Sequence, residues 1–134
     1  MPLLIGIVSG VATIVLIALL PLRDTKLVYG LALAGIGFLY VGFVWTDLSA
    51  LIINAAQAIA FVLLAYFGVR KSGFLLAGGY FLHGCWDIVY NLLAAPGLVP
   101  PQYDWFCSSL DFTIGIYLLL NLVLAPVKIQ NGMQ

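Results

Sequence analysis

One short stretch of the chain concentrates ionisable side chains in an otherwise apolar setting. His83 is the only histidine, and Asp87 follows it four residues later within a long apolar run. Residues four apart lie one above the other on a helix, so the imidazole and the carboxylate are expected to share one face. A carboxylate kept from water beside an imidazole has a tunable proton affinity, which suits acid–base chemistry. The alternative interpretation is an intrahelical hydrogen bond that hides two polar groups inside a bundle.

A second aspartate favours the functional interpretation. Asp111 lies in the next apolar run, one helical turn after Cys107. A charged side chain at the centre of a bilayer costs roughly 2.5–3.5 kcal/mol on insertion scales. One carboxylate would satisfy a structural histidine, so a second carboxylate is a cost that structure alone does not explain. We therefore predict His83, Asp87 and Asp111 as the catalytic residues.

Polar and aromatic residues on the same helix face or at a similar depth are expected to line the site. The predicted ligand-binding residues are Tyr80, Trp86, Tyr90, Asn91, Asn54, Gln57 and Cys107. Asn54 and Gln57 are also typical interhelical hydrogen-bonding residues, worth roughly 0.6 kcal/mol each in membranes. Cys85 is about 200° around the helix from Asp87, so it is expected to face away. The two cysteines should be free, since their expected depths differ by more than a disulfide allows.

The composition is that of a membrane protein. Apolar residues make up 64% of the chain and charged residues 7%, and glutamate is absent. A soluble domain needs far more polar surface than this composition can supply. The chain has no net charge and no basic run. Nucleic acid is therefore not an expected partner, because phosphate binding needs clustered lysine or arginine.

The chain is predicted to be all-α, a single transmembrane domain over residues 1–134. Each apolar run is close to the roughly 20 residues that a helix needs to cross a bilayer. Pro21, a proline-rich link after the fourth run and Pro126 interrupt the runs, because proline does not continue a helix. The five predicted transmembrane helices are 2–20, 27–45, 49–69, 73–95 and 105–125.

All basic residues fall on one side of this topology. Arg23 and Lys26 lie in the first connection, Arg70 and Lys71 in the third, and Lys128 after the fifth helix. The positive-inside rule then places the C-terminus in the cytoplasm and the N-terminus outside. Four aromatic residues are expected at the outer interface, namely Trp45, Tyr103, Trp105 and Phe106.

This orientation brings polar residues of three helices to similar depths. At about 1.5 Å per residue, Asp87 lies roughly 12 Å below the outer end of the fourth helix, and Asp111 roughly 9 Å below that of the fifth. Gln57 lies roughly 12 Å down the third helix by the same rise. Lipid cannot satisfy such groups, so they should face one another or water. We predict a polar pocket that is enclosed by the third to fifth helices and opens outward.

Two motifs on consecutive helices resemble those of a known family. Residues 83–87 have the spacing H-x-x-W-D, and residues 107–111 have the spacing C-x-x-x-D. Together with Tyr40-Val41-Gly42-Phe43, they resemble an uncharacterised bacterial family of small integral membrane proteins. The resemblance implies a multi-pass protein of the bacterial cytoplasmic membrane but no particular activity. It groups His83, Trp86, Asp87, Cys107 and Asp111 as one unit. Members of that family often have histidines where this chain has Tyr90 and Asn91.

The leading hypothesis is an intramembrane site for a membrane lipid or a small apolar molecule. Isomerisation or cyclisation of an apolar substrate fits best, because it needs a desolvated acid and base and the sequence has no cofactor motif. No cofactor is expected. No metal is expected either, because one histidine and two scattered aspartates are a weak ligand signature.

Two other classes of function stay open. In one, the chain is an accessory subunit of a larger membrane complex or a homo-oligomer, and its polar residues hold helices together. In the other, it is a proton or ion pathway, although few polar residues lie below His83 to continue such a path. A hydrated cavity lined by His83, Asp87 and Asp111 would distinguish a site from helix packing.

Overall fold

Five α-helices make up the protein in a computed structural model, which describes residues 1–94 and 97–131, with side chains up to residue 125. The helices are α1 (Pro2–Leu19), α2 (Thr25–Phe43), α3 (Leu48–Arg70), α4 (Gly73–Leu93) and α5 (Tyr103–Asn131). No strand is present in this part of the chain. The prediction of an all-α fold with five helices is confirmed.

Aspartates in the short links begin two of the helices. The Asp24 carboxylate accepts a hydrogen bond from the backbone N–H of Leu27 at 3.0 Å. Asp47 accepts one from the backbone N–H of Ala50 at 2.8 Å. In both places the side chain satisfies a donor that the first helical turn leaves free. The apolar runs that follow continue as helix, which pairs the backbone N–H and C=O groups within each segment.

The predicted helix bounds agree with the observed ones to within two residues, except at the end of α5. The prediction that Pro126 ends the fifth helix is wrong, since α5 continues to Asn131. Proline removes a single backbone donor, and residues 127–131 contain no glycine or further proline that would end the helix. Residues 95 and 96, which fall in the predicted fourth helix and the following link, lie outside the described residues.

The central helix of the bundle is α4. It packs along α5 and α3 and makes a smaller contact with α2. Two further close pairs, α1 with α5 and α2 with α3, and a minor contact between α1 and α2 complete the bundle. The core between the helices is apolar and aromatic, and includes Leu33, Phe61, Leu76, Tyr80 and Ile114. Because α4 has neighbours on several sides, its polar residues can be buried against protein.

Two glycines let α1 approach α5 closely. Gly6 and Gly10 are both buried. A Cβ atom at Gly6 would overlap the Ser109 hydroxyl and the carbonyl oxygen of Phe106. Small residues four apart are a common means of close packing between membrane helices. The Gly6/Gly10 spacing thus determines which face of α1 meets α5.

Four of the five helices, α1, α2, α3 and α5, are long and apolar enough to cross a membrane. The exception, α4, has 21 residues, but polar side chains such as His83 and Asp87 make it less apolar. Large apolar side chains cover the outside of the bundle, and Leu4, Ile52 and Leu92 are each more than half exposed. These are the features of a helical membrane protein.

Candidate functional site

Two adjacent helices bring four of the predicted site residues together. His83 and Asp87 lie one turn apart on α4, and Cys107 and Asp111 lie one turn apart on α5. Because α4 and α5 pack along each other, the two faces meet inside the bundle. These four residues are called the polar cluster below. One imidazole nitrogen, one thiol sulfur and two carboxylate oxygens of the polar cluster all lie within 4.8 Å of one another.

The imidazole of His83 lies between the two carboxylates. Its Nδ1 atom is 2.7 Å from Oδ2 of Asp111 and 3.5 Å from Oδ2 of Asp87. The shorter contact therefore joins α4 to α5, and the intrahelical pair considered from the sequence is the longer one. The thiol of Cys107 donates to the same Asp111 oxygen at 3.7 Å. Asp111 Oδ2 is thus the atom that both the His83 imidazole and the Cys107 thiol contact.

The polar cluster is closed off from the outside of the bundle. His83, Asp87 and Asp111 have no exposed surface, and Cys107 is 3% exposed. Within the described residues, four polar atoms of the cluster have no hydrogen-bond partner: Nε2 of His83, both carboxylate oxygens of Asp87, and Oδ1 of Asp111. A buried polar atom without a partner costs about 1–3 kcal/mol. The cluster therefore has unused capacity to bind a proton or a ligand.

Aromatic side chains from α2 and α3 form the wall around His83. The ring centroid of Phe61 lies 4.8 Å from that of the imidazole, and the ring centroid of Tyr40 lies 6.3 Å from it. The hydroxyl of Tyr40 lies near Asp87, but it forms no hydrogen bond within the described part of the chain. The wall therefore brings one more unpaired polar group to the polar cluster.

Three of the residues around the polar cluster were missed by sequence reasoning or assigned elsewhere. Tyr103, expected at the outer interface, directs a buried and unpaired hydroxyl towards Cys107. The position of Tyr40 near polar groups could have been predicted from the sequence, because a phenol within an apolar run needs a polar neighbour. The position of Phe61 could not, since a phenylalanine is ordinary anywhere in a membrane helix.

Three predicted ligand-binding residues join helices to one another. The Asn54 side chain donates to the Tyr90 hydroxyl at 2.8 Å and to the Ala50 carbonyl at 2.9 Å, which ties α3 to α4. The Tyr80 hydroxyl donates to the carbonyl of Tyr29 at 2.7 Å, which ties α4 to α2. These side chains hold the helices in register around the polar cluster and are not part of it.

The other predicted ligand-binding residues lie in the C-terminal part of α4 and on α3. Asn91 donates to Asp104 at 2.9 Å, so an acid that sequence reasoning did not name partners it. Gln57 is buried, and both ends of its amide lack partners among the described residues. The indole of Trp86 stacks on Tyr90, with the ring centroids 5.6 Å apart. Neither Asn91 nor Trp86 reaches the polar cluster.

Cavities lie close to the polar cluster without reaching it. One of about 270 Å³, lined by residues of α3 and α4, includes Trp86 and Tyr90 in its wall. Another, of about 460 Å³, lies beside residues 97–101. Neither of these two cavities is lined by a residue of the polar cluster. Tyr90 packs on Tyr40 with centroids 5.0 Å apart, and this aromatic pair separates the first cavity from the cluster.

Both cysteines are free, as predicted. Cys85 is exposed, and Cys107 is buried in the polar cluster. The prediction that Cys85 faces away from His83 and Asp87 is therefore confirmed.

The fold and the polar cluster indicate a class: a small α-helical protein with four helices apolar enough to cross a membrane and with a buried polar centre. The chain matches the family of unknown function DUF6010 over residues 1–123, and it belongs to that family. The match includes α1 to α4 and the whole polar cluster. No curated protein and no solved structure matches the chain. Membership of a family without an assigned function is as predicted, whereas the bacterial origin and the family motifs stay predictions.

Proposed function

We propose that the protein is a multi-pass protein of the bacterial cytoplasmic membrane, with its N-terminus outside and its C-terminus in the cytoplasm. The shortest helix, α1, has 18 residues. Such a helix covers about 27 Å, close to a hydrocarbon core of about 30 Å. The fifth proposed span is α4, whose His83 and Asp87 are covered by neighbouring helices and not by lipid. The shared side of all basic residues supports the orientation.

Within this membrane protein, the polar cluster is proposed as an acid–base site for a small or lipid-like molecule. The observation that carries the proposal is the position of the His83 imidazole between two carboxylates, all three fully buried. A single proton on Nδ1 satisfies one carboxylate, and Asp111 at 2.7 Å is the nearer. Asp87 keeps both oxygens unpaired among the described residues and is the free proton acceptor.

Proton transfer within an apolar molecule is the reaction that this arrangement suits. Asp87 takes a proton from one carbon, and the His83 imidazolium gives a proton to another, which shifts a double bond or closes a ring. The imidazolium gives the proton on Nε2, since Nδ1 keeps the proton that it shares with Asp111, and the proton held by Asp87 passes back to Nε2 to complete the cycle. No proton or electron is gained or lost overall. Asp111 orients the imidazole, and the aromatic wall excludes water that would quench a reactive intermediate.

The cavity beside Trp86 and Tyr90 is the proposed approach to the polar cluster. It has a mostly apolar wall and lies towards the outer end of α4 in the proposed orientation. Rotation of the Tyr90 ring would connect this cavity to Tyr40 and the imidazole behind it. An apolar substrate could then enter sideways from the lipid between α3 and α4.

The test compares the small molecules that copurify with the wild type, with Asp87→Asn and with Asp24→Asn, by mass spectrometry after mild detergent extraction. Asp24 caps α2 outside the polar cluster, and asparagine caps a helix about as well as aspartate. It therefore controls for the loss of a carboxylate. A compound depleted only with Asp87→Asn, at equal folded yield, supports the proposal. The same compounds with all three proteins would overturn it.

An accessory subunit of a larger membrane complex is the second candidate. The observation that favours it is the closed packing of the polar cluster, which ties α4 to α5 as polar residues between membrane helices commonly do. Native mass spectrometry of the protein extracted at its natural level distinguishes the two. A heteromeric complex that dissociates with Asp111→Asn supports the subunit role. An isolated chain or homo-oligomer contradicts it.

A further inference from the structure

We propose that the polar cluster binds a divalent transition-metal ion of the Zn²⁺ type. The inference rests on the proposed function only in treating the polar cluster as a site and not as packing between helices. It identifies what occupies the centre of that site. Four observations support it: the donor geometry, the unpaired atoms, the charge balance and the chemistry of the donors.

The donor atoms of the four side chains lie within 4.8 Å of one another, and two of their distances match the spacing of a tetrahedral site. Zinc bonds of about 2.0–2.3 Å place neighbouring ligand atoms about 3.3–3.8 Å apart. His83 Nδ1 and Asp87 Oδ2 are 3.5 Å apart, and the Cys107 sulfur is 3.7 Å from Asp111 Oδ2. Each pair of ligands lies one turn apart on one helix, an arrangement that metal-binding helices use. To surround one ion, His83 Nδ1 and Asp111 Oδ2 must move apart from their present 2.7 Å to this spacing.

The unpaired atoms are an independent observation that points to a ligand. Both oxygens of Asp87 and one of Asp111 have no partner among the described residues, although both side chains are fully buried. The proton between His83 and Asp111 cannot satisfy these oxygens as well. A cation at the centre of the polar cluster would be within bonding distance of one oxygen from each carboxylate.

The charge balance of the interior favours a cation. Two aspartates of the polar cluster are fully buried, and no lysine or arginine is buried among the described residues. His83 is therefore the only protein group there that can carry positive charge. Buried carboxylates at membrane depth are costly unless they are paired. A divalent ion compensates both carboxylates at once.

The mixture of donors selects the kind of ion. Imidazole, thiolate and carboxylate together suit zinc and its neighbours among the late first-row metals, whereas Mg²⁺ and Ca²⁺ prefer oxygen alone. Cys107 is the decisive member, because its sulfur is a donor that Mg²⁺ and Ca²⁺ do not prefer. The prediction from the sequence had considered only nitrogen and oxygen ligands. The hydroxyls of Tyr40 and Tyr103, which lie near Asp87 and Cys107, can donate to these ligands and orient them.

The experiment uses full-length protein purified without a histidine tag, treated with chelator and then loaded with Zn²⁺ or Co²⁺. We expect about one ion per chain, the stoichiometry of a single four-ligand site. Bound Co²⁺ should show the thiolate-to-metal absorption of a cysteine ligand. This spectrum of the wild type needs no variant. Its absence after loading, together with no retained zinc, would overturn the proposal whether or not any variant folds.

Matched variants assign the ligands. Cys85→Ser removes the exposed thiol of α4 and should leave both stoichiometry and spectrum unchanged. Cys107→Ser should abolish the thiolate absorption, and Asp87→Asn should weaken zinc binding by more than about tenfold, the lower end of the effect of losing even an outer partner of a metal site. A thiolate band that is lost with Cys85→Ser and kept with Cys107→Ser would place the ion elsewhere and contradict the proposal.

The two proposals for this site can fail separately. If the wild type retains zinc and Asp87→Asn copurifies with the same molecules as the wild type, the proposal of an organic ligand is rejected and the metal site is supported. If a copurified molecule is depleted with Asp87→Asn and the wild type retains no zinc, the metal proposal is rejected and the acid–base site is supported.

Discussion

His83 on α4 and Asp111 on α5 meet at 2.7 Å, and neither side chain has any exposed surface. Asp87 belongs to the same helix as His83 and yet lies farther away, at 3.5 Å. The strongest polar contact of the bundle's centre is therefore between helices. It links the two helices on which the whole polar cluster is built.

This difference in distance predicts a difference in energetic coupling. In double-mutant cycles with alanine, the His83/Asp111 pair should couple by about 1.5–3 kcal/mol, the range for a hydrogen bond to a charged group. The His83/Asp87 pair should couple less, because 3.5 Å is long for such a bond. Unfolding of the detergent-solubilised variants, followed by circular dichroism, measures both. Equal coupling, or a larger value for Asp87, would contradict the geometry.

The contact between α1 and α5 predicts that a glycine packed against another helix tolerates substitution by alanine less well than an exposed glycine. Gly6→Ala should destabilise the bundle by about 1–3 kcal/mol, since the new methyl group overlaps α5 and the helices must separate. Gly35→Ala is the matched control, because a Cβ atom there meets nothing within 4 Å. It should be neutral or slightly stabilising. Thermal unfolding in one detergent compares the two, and similar losses for both would argue against close packing at Gly6.

The two thiols should differ in reactivity. Cys85 is exposed and Cys107 is buried in the polar cluster, so a lipid-soluble maleimide should modify one thiol of the native protein and both after unfolding. Intact-mass spectrometry counts the adducts. With Cys85→Ser the native protein should stay unmodified, whereas Cys107→Ser should react like the wild type. Rapid modification of the Cys85→Ser variant would show that the polar cluster is open.

The proposed orientation predicts which connections reach the outside of the cell. Gln102, exposed before α5, should be external, and Lys71, exposed between α3 and α4, should be cytoplasmic. In a Cys85→Ser background, Gln102→Cys should react with a membrane-impermeant maleimide on intact cells, and Lys71→Cys should react only after lysis. The reverse pattern would invert the topology, and labelling of both would remove α4 as a span.

Much of the fold could be predicted because the signals for apolar helices are local in the sequence. Apolar runs of fixed length predict the helices, and spacings of four residues place His83 with Asp87 and Cys107 with Asp111. The partner of His83 could not be predicted in this way. Counting depth from helix ends puts Asp111 nearer to Asp87, whereas α5 begins at Tyr103 and meets α4 so that Asp111 faces the imidazole.

The residues that surround the polar cluster were harder to predict than the cluster. Tyr40 and Phe61 reach His83 from α2 and α3. Such contacts depend on how each helix is rotated about its axis, and the apolar faces of α2 and α3 give only a weak indication of rotation. The prediction at Pro126 failed for a simpler reason. One missing backbone donor does not end a helix when no glycine or further proline follows within residues 127–131.

If α4 is the fifth span, as proposed, its lower hydropathy has a consequence for how the protein enters the membrane. This helix carries Asp87 and a histidine, His83, whose nearer carboxylate partner is Asp111 on α5, and α5 is made after α4. Until α5 arrives, His83 and Asp87 have each other and no further polar partner in the cluster. We therefore expect α4 to remain in the translocation machinery until α5 is made. The two helices would then enter the lipid together as a hairpin. The order of biogenesis would then be determined by the same two residues, His83 and Asp111, that hold the finished bundle together.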